Sequence, residues 1–121
     1  MNESIVNPEQ QARQLHRSGC NCCQAVVLAF ADRLPLSPDV LRDLSAPFGR
    51  GLSGLREVCG CVSAMAMVAG LTGHAADVKA LADRFRAENG DVNCGRLLMS
   101  GKRPCNDMVA SAARLLNETI H

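Results

Sequence analysis

Aromatic residues are almost absent from this chain of 121 residues, which contains no Trp, no Tyr and three Phe. β-sandwiches and barrels draw on aromatic and β-branched side chains for their pleated faces, so the composition favours helices. The core must be built from Ala, Val, Leu and Met, and the length suits one domain. We expect an all-α fold, a single compact bundle of five to six helices, with one cysteine-rich helical domain over residues 1–121.

Three further features are missing, and each excludes a class of function. The net charge is +1 and no run of Lys or Arg occurs, so phosphate neutralisation of a nucleic acid is not predicted. The longest mostly apolar stretch, residues 58–71, is shorter than the roughly twenty residues that a membrane span needs. Residues 1–8 lack a charged segment followed by an apolar one, so no secretory signal is predicted and the expected location is cytoplasmic.

Helix boundaries are marked by caps, prolines and glycines along the chain. The first helix should begin at Pro8 and end at Arg17, and the last should begin at Pro104. Between them we predict four helices: from Asn21 to Pro35, from Ser37 to about Leu44, from Ser53 to Gly70, and from Asp77 to Asn89. The glycines at 49, 51 and 54 form a literal G-x-G-x-x-G, but no strand precedes it, so a turn is expected rather than a nucleotide site.

Cysteine is the unusual component, with seven residues at positions 20, 22, 23, 59, 61, 94 and 105. In a reducing compartment, clustered cysteines indicate metal binding or redox chemistry. Cys22 follows the predicted cap Asn21, Cys94 follows a candidate cap at Asn93, and Cys105 follows Pro104. Free N–H groups and the helix dipole at such a helix start favour the thiolate. Cys59 should lie further inside its helix, beside Gly60, which allows another segment to come close.

Two observations limit what the cysteines can do. Cys59 and Cys61 point about 200° apart on a regular helix, so they could not both bind one ion there. Cys23 and Cys61 adjoin apolar runs, and burial as small hydrophobic residues is an equal alternative for both.

Arginines within three residues of a cysteine could favour thiolates, although a solvated surface role is the commoner one; they are Arg17, Arg56, Arg96 and Arg103.

Four ordered motifs resemble a known family. Residues 19–26, Gly-Cys-Asn-Cys-Cys-Gln-Ala-Val, resemble the opening motif of the redox-active proteins named for a C-GCAxxG-C-C cysteine pattern. Residues 48–51 and 56–60 resemble that family's glycine-rich loop and CGAxxG motif, and residues 94–98 and 102–105 resemble its last two cysteine segments. The resemblance implies a helical protein in which the functional set is Cys22, Cys59, Cys94 and Cys105.

This chain departs from the family pattern at four positions. Cys20 stands where Tyr is usual, Cys23 and Cys61 where Ala is usual, and Ala64 where the second Gly of the motif is expected. Because the three extra thiols lie beside family cysteines, we predict that they enlarge a shared thiol cluster. Cys20, Cys23 and Cys61 are therefore secondary candidates as metal ligands.

The leading interpretation is a redox-active cysteine protein that cycles between thiol and disulfide or holds a cysteine-ligated iron–sulfur centre for electron transfer. Cys22, Cys59, Cys94 and Cys105 are its candidate catalytic, cofactor-binding and metal-binding residues. The alternatives are a non-redox zinc or copper(I) protein and a helical interaction module with core cysteines. The expected partner is a redox protein or a small thiol. Two questions stay open: whether the chain forms a homo-oligomer, and whether it acts as an oxidoreductase or as an electron carrier.

Overall fold

Seven right-handed α-helices form the part of the chain that the computed structural model describes, residues 7–120: α1 (Pro8–Arg17), α2 (Cys22–Leu28), α3 (Pro38–Ser45), α4 (Gly60–Leu71), α5 (Val78–Asn89), α6 (Cys94–Ser100) and α7 (Cys105–Thr119). Within these residues there is no β-strand, and Val58 and Asn93 form an isolated antiparallel bridge. The all-α prediction is confirmed. The prediction of no secretory signal rests largely on residues 1–6, which lie outside the described part.

The predicted count of five to six helices is wrong, because α6 is a helix of its own. Gly90 ends α5 in a left-handed conformation (φ 107°), and Gly101 ends α6 in the same way (φ 59°). Between them the side chain of Asn93 accepts a hydrogen bond from the Arg96 N–H and starts α6. Left-handed glycines are common helix ends, since glycine has no Cβ to clash there.

The predicted caps at the first three helices are confirmed. Asn7, Asn21 and Ser37 each accept a hydrogen bond from the backbone N–H three residues on. Asn21 also forms a capping box, because its own N–H donates to the Gln24 side chain at 3.0 Å. Its Nδ2 donates to the Ala46 carbonyl at 2.9 Å. The start of α2 is therefore fixed to the end of α3.

Two predicted boundaries are wrong. α2 ends at Leu28 rather than near Pro35, because its last turn tightens and continues as a 3-10 turn at Ala31–Arg33. Ser53 does not cap α4; its hydroxyl donates instead to the Pro47 carbonyl. α4 begins at Gly60, with Cys59 as its N-cap residue in an extended conformation (ψ 135°).

The segment before α4 is an unusual left-handed turn. Residues Gly49–Ser53 make one turn of helix-like hydrogen bonds, but Arg50, Gly51 and Leu52 have left-handed dihedral angles, and Ser53 also has positive φ. For residues other than glycine this conformation costs about 1–2 kcal/mol each. The turn predicted from the glycine motif is therefore present, in a strained form that tertiary contacts must hold.

One hydrophobic core lies between the helices, with α1 against α7 and α2 against α4. Its largest fully buried side chains include Phe30, Phe85, Leu41 and Met65. Among residues 7–120 none of the helices combines the length and the apolar character that crossing a membrane would require. The packing brings the first turns of α2, α4, α6 and α7 towards a common region.

Candidate functional site

A cavity of about 380 Å³ lies where the starts of α2, α4, α6 and α7 meet. Six of the seven cysteines line it: Cys20, Cys22, Cys59, Cys61, Cys94 and Cys105. All four cysteines predicted as the functional set are thus brought together, along with two of the three secondary candidates. The remaining cysteine, Cys23, is 0% exposed and packs in the hydrophobic core.

Helix starts position most of these sulfurs. Cys22, Cys94 and Cys105 are each the first residue of a helix, as the sequence predicts, after Asn21, Asn93 and Pro104. Cys59 is the exception, since it lies at the N-cap position rather than inside α4. Its extended conformation removes the constraint that a regular helix would place on Cys59 and Cys61, and hydrogen bonding from the Cys61 thiol lowers the pKa of Cys59.

The start of α4 is held by a short pairing with the segment before α6. The Cys59 N–H donates to the Val92 carbonyl at 2.8 Å, and the Cys94 N–H donates to the Glu57 carbonyl at 2.6 Å. Asp91 braces the second segment by accepting the N–H groups of Val92 and Asn93. These bonds place the first turns of α4 and α6 side by side at the cavity.

Gly60 allows Cys22 to reach α4. A Cβ atom built on Gly60 would lie 2.5 Å from the Cys22 sulfur and 2.9 Å from the Phe48 carbonyl oxygen. Real Cβ atoms essentially never come so close to another heavy atom. The sulfur of Cys22 therefore occupies the space that a side chain at position 60 would fill. This is the close approach of another segment that Gly60 was predicted to allow.

Cys61 is the centre of the thiol cluster. Its side chain is 1% exposed, and its single thiol proton can form a hydrogen bond to Cys22 or to Cys59. The bond to Cys22 is the main cause that lowers the pKa of Cys22, to about 6; backbone N–H groups of Arg50, Cys23 and Cys22 help, and burial opposes them. The pKa of Cys59 is lowered by the same donor, against burial and the like charge of Cys22. Cys61 itself keeps its proton, because donation to Cys22 or to Cys59 raises its pKa well above the ordinary value.

The other cysteines have different surroundings. Burial, followed by the charges of Cys22 and Cys59, raises the pKa of Cys23 and keeps that thiol protonated. Burial also raises the pKa of Cys105, although this thiol is the exposed one of the seven. The Arg56 guanidinium donates to the Cys94 sulfur at 3.6 Å. Near neutral pH, Cys22 is therefore the cavity thiol best suited to act as a nucleophile.

The arginines around the cavity only partly match the sequence prediction. Of the four arginines close to cysteines in sequence, Arg56 lines the cavity, whereas Arg96 pairs with Asp91 and Arg103 donates to Asn89. Arg50 also lines the cavity and was missed, because it is nine residues from the nearest cysteine. Its only sequence signal is the pair of glycines that flank it.

The left-handed turn explains how Arg50 reaches the cavity. Its backbone N–H is one of the donors that lower the pKa of Cys22. Gly51 lets the turn fold back on itself, since a Cβ there would lie 2.6 Å from the Arg56 Cα and 2.7 Å from the Cys94 Cβ. Strained non-glycine residues cluster at functional sites, where the surrounding structure holds them.

A metal ion does not fit the side chains as they are arranged. Within residues 7–120, no group of three or more His, Cys, Asp or Glu side chains has the geometry to hold one. The predicted ligands Cys22, Cys59, Cys94 and Cys105 share a cavity without converging on a common point. The metal-binding role of these residues therefore stays a prediction from sequence.

Removal of the Cys61 donor tests its role. We expect Cys61→Ala to raise the pKa of Cys22 by about one to two, because a hydrogen bond to a charged group contributes about 1.5–3 kcal/mol. Cys61→Ser keeps a donor in the same place and should change this pKa less. The measurement is the pH dependence of alkylation at Cys22, followed by peptide mass spectrometry. An unchanged midpoint in Cys61→Ala would show that Cys61 does not activate Cys22.

Comparison with known proteins places this arrangement in a family. No curated protein and no solved structure matches the chain. A family model does match residues 20–119, which include all seven cysteines, and its description reads "Putative redox-active protein (C_GCAxxG_C_C)". The match extends from the first cavity cysteine into the last turn of α7. The chain belongs to the C_GCAxxG_C_C family of redox-active proteins.

Proposed function

We propose that this protein carries out thiol–disulfide exchange, with Cys22 as the attacking thiolate and Cys59 as the resolving thiol. The observation that carries the proposal is the packing of the Cys22 sulfur against Gly60, between Cys59 and Cys61, in one cavity. The Cys61 thiol as a donor lowers the pKa of Cys22 and of Cys59. The thiolate is the form that attacks a disulfide, and an attacking thiol is most effective when its pKa lies near the ambient pH. Cys22, with a pKa of about 6, meets that condition at neutral pH.

The proposed reaction has two steps. The Cys22 thiolate attacks one sulfur of a substrate disulfide, forms a mixed disulfide and releases a thiolate that takes a proton from water. The Cys59 thiolate then attacks the Cys22 sulfur, forms the Cys22–Cys59 disulfide and releases the second substrate thiolate. Two electrons pass from the two cysteines to the substrate, and a reduced thiol or a redox partner protein returns the protein to its dithiol state.

Cys59 suits the second step better than Cys61 does. Formation of the mixed disulfide removes the negative charge of Cys22, which otherwise opposes ionisation of Cys59. The Cys61 thiol can then donate its hydrogen bond to Cys59 alone. The pKa of Cys59 should therefore fall further when its thiolate is needed, whereas Cys61 holds its own proton.

Cys94 and Cys105 belong to the proposed functional set because they line the same cavity. Neither takes part in the two steps above, so we assign them to contact with the reducing partner, which can reach the exposed Cys105. The proposed location is the cytoplasm, where thiols are kept reduced and free cysteines persist.

Peptide mapping of the oxidised protein tests the proposal. Reduced protein is incubated without oxygen with 2-hydroxyethyl disulfide, quenched in acid and digested. We expect a Cys22–Cys59 disulfide, and we expect Cys59→Ser to accumulate the mixed disulfide on Cys22. Cys105→Ser is the control, because it removes a cavity thiol and should still form the same bond.

Metal analysis on protein purified without oxygen or chelator addresses the alternatives. We expect iron, labile sulfide, zinc and copper all below one equivalent per chain. Stoichiometric iron with sulfide would overturn the proposal in favour of an iron–sulfur centre, and stoichiometric zinc or copper would favour a non-redox metal protein.

A further inference from the structure

Two arginines give the thiol cavity its charge. Arg50 and Arg56 line it, and within residues 7–120 none of the residues around the cavity is acidic. Both arginines are exposed, and neither forms an ion pair with a described acidic residue, whereas six other arginines do. Arg56 donates to the Cys94 sulfur within the cavity, and with no acidic partner both guanidinium charges are available to a ligand there.

Backbone hydrogen bonds hold Arg56 beside Arg50 at the cavity. The Arg56 N–H donates to the Arg50 carbonyl at 3.3 Å, and the Glu57 N–H donates to the Gly51 carbonyl at 3.0 Å. Arg50 and Arg56 both have a φ of 58°, a conformation rare for residues with a side chain. The fold therefore maintains an unfavourable backbone at the two positions that bring positive charge to the sulfurs.

His16 also lines the cavity but adds no charge at neutral pH. The Asn106 side-chain oxygen accepts from Arg13, so its Nδ2 donates both to the Arg13 carbonyl and to the His16 Nδ1 at 3.1 Å. Nδ1 is therefore an acceptor and the ring proton lies on Nε2. Burial also lowers the pKa of His16. The positive charge at the cavity comes from Arg50 and Arg56.

We infer that the substrate of this cavity is a small disulfide that carries carboxylate groups, with Arg50 and Arg56 as specificity-determining residues. The inference rests on the proposed thiol–disulfide exchange. A negatively charged disulfide would be repelled by the Cys22 thiolate unless cations faced it, and guanidinium groups bind carboxylates well. A volume of about 380 Å³ is within the range of small-molecule sites.

Rates of exchange with three small disulfides of different charge test this inference. The probes are dithiodipropionate, which is anionic, 2-hydroxyethyl disulfide, which is neutral, and cystamine, which is cationic. The rate with each charged probe is divided by the rate with the neutral probe, so that changes in Cys22 ionisation or nucleophilicity cancel. Because the leaving thiols of the probes differ in pKa, each ratio is divided by the same ratio measured with free 2-mercaptoethanol as the attacking thiol. We expect the corrected anionic ratio to exceed the corrected cationic ratio and to fall as salt is added.

Substitutions at the two arginines should lower this selectivity. We expect Arg50→Gln and Arg56→Gln each to lower the anionic ratio by about two- to fivefold, as exposed ion pairs do. Arg50→Lys and Arg56→Lys should retain most of it. Arg96→Gln is the matched control, because Arg96 is exposed, pairs with Asp91 and does not line the cavity.

The outcomes separate this inference from the proposed function. Equal corrected anionic and cationic ratios, or an unchanged anionic ratio in the variant with both arginines replaced by glutamine, would overturn the inference while exchange at Cys22 stands. Absence of any reaction at Cys22 with the neutral probe would instead overturn the proposed function.

Discussion

Replacement of Cys22 by serine should slow exchange with 2-hydroxyethyl disulfide by about 100-fold or more, because a serine hydroxyl is not ionised near neutral pH and is a poor nucleophile. In the unchanged protein the rate should rise with pH around a midpoint near 6, where the Cys22 thiolate forms. Because the thiolate is the reactive form, the rate should be high above the pKa of Cys22 and should fall as the pH drops through that value. Cys22→Ser should remove this step from the pH profile.

The adjacent cysteine provides the control for this prediction. Cys23 follows Cys22 on α2, but it is fully buried in the core and burial raises its pKa. Cys23→Ala should keep the exchange rate and the midpoint near 6, with a loss of stability of about 1 kcal/mol from the small cavity that it leaves. If Cys22→Ser retains the rate, or Cys23→Ala loses it, Cys22 is not the nucleophile.

Substitution of Gly60 by alanine should disturb both the fold and the thiols. The new methyl group would overlap the Cys22 sulfur and the Phe48 carbonyl oxygen, and the oxygen belongs to backbone that cannot move freely. We expect a loss of about 1–3 kcal/mol in the free energy of unfolding, as for other overpacked sites. Displacement of the Cys22 sulfur from Cys61 should also raise the pKa of Cys22. Urea denaturation and the pH profile of Cys22 alkylation measure the two effects.

Gly70 is the matched control because it lies in the same helix and is exposed. A Cβ built on Gly70 has no heavy atom within 4 Å. Gly70→Ala should therefore stabilise the protein by about 0.5–1 kcal/mol, as alanine favours a helix interior over glycine, and should leave the pKa of Cys22 unchanged. Similar effects of Gly60→Ala and Gly70→Ala on stability would contradict the close approach of Cys22 at Gly60.

Local signals made the helix starts at the site predictable. Asn21, Asn93 and Pro104 mark the first turns of α2, α6 and α7 through interactions within a few residues, so the positions of Cys22, Cys94 and Cys105 followed from the sequence. The family resemblance added Cys59 to this set. Those four residues line the cavity together, and their chemical roles are proposals.

Long-range contacts determine what could not be predicted. The N-cap position of Cys59 depends on a hydrogen bond from its N–H to Val92, which is 33 residues away. That break in the helix is what lets Cys61 reach Cys59, so a regular helix gave the wrong geometry. Arg50 likewise reaches the site through a left-handed backbone conformation that is unfavourable for residues other than glycine. Ser53 is a residue type that often caps helices, but its positive φ is not the conformation of an N-cap.

The hydrogen bonds that activate Cys22 come from segments far along the chain, and this affects how the protein is made. Arg50 and Cys61 lie well after Cys22 in sequence, so neither can contact it until the ribosome has synthesised α4 and the chain has folded. An unfolded cysteine has a pKa of about 8.5 and is only slightly ionised at neutral pH. The nascent chain therefore carries seven ordinary thiols and oxidises slowly, and the reactive sulfur appears only once α4 has folded against α2.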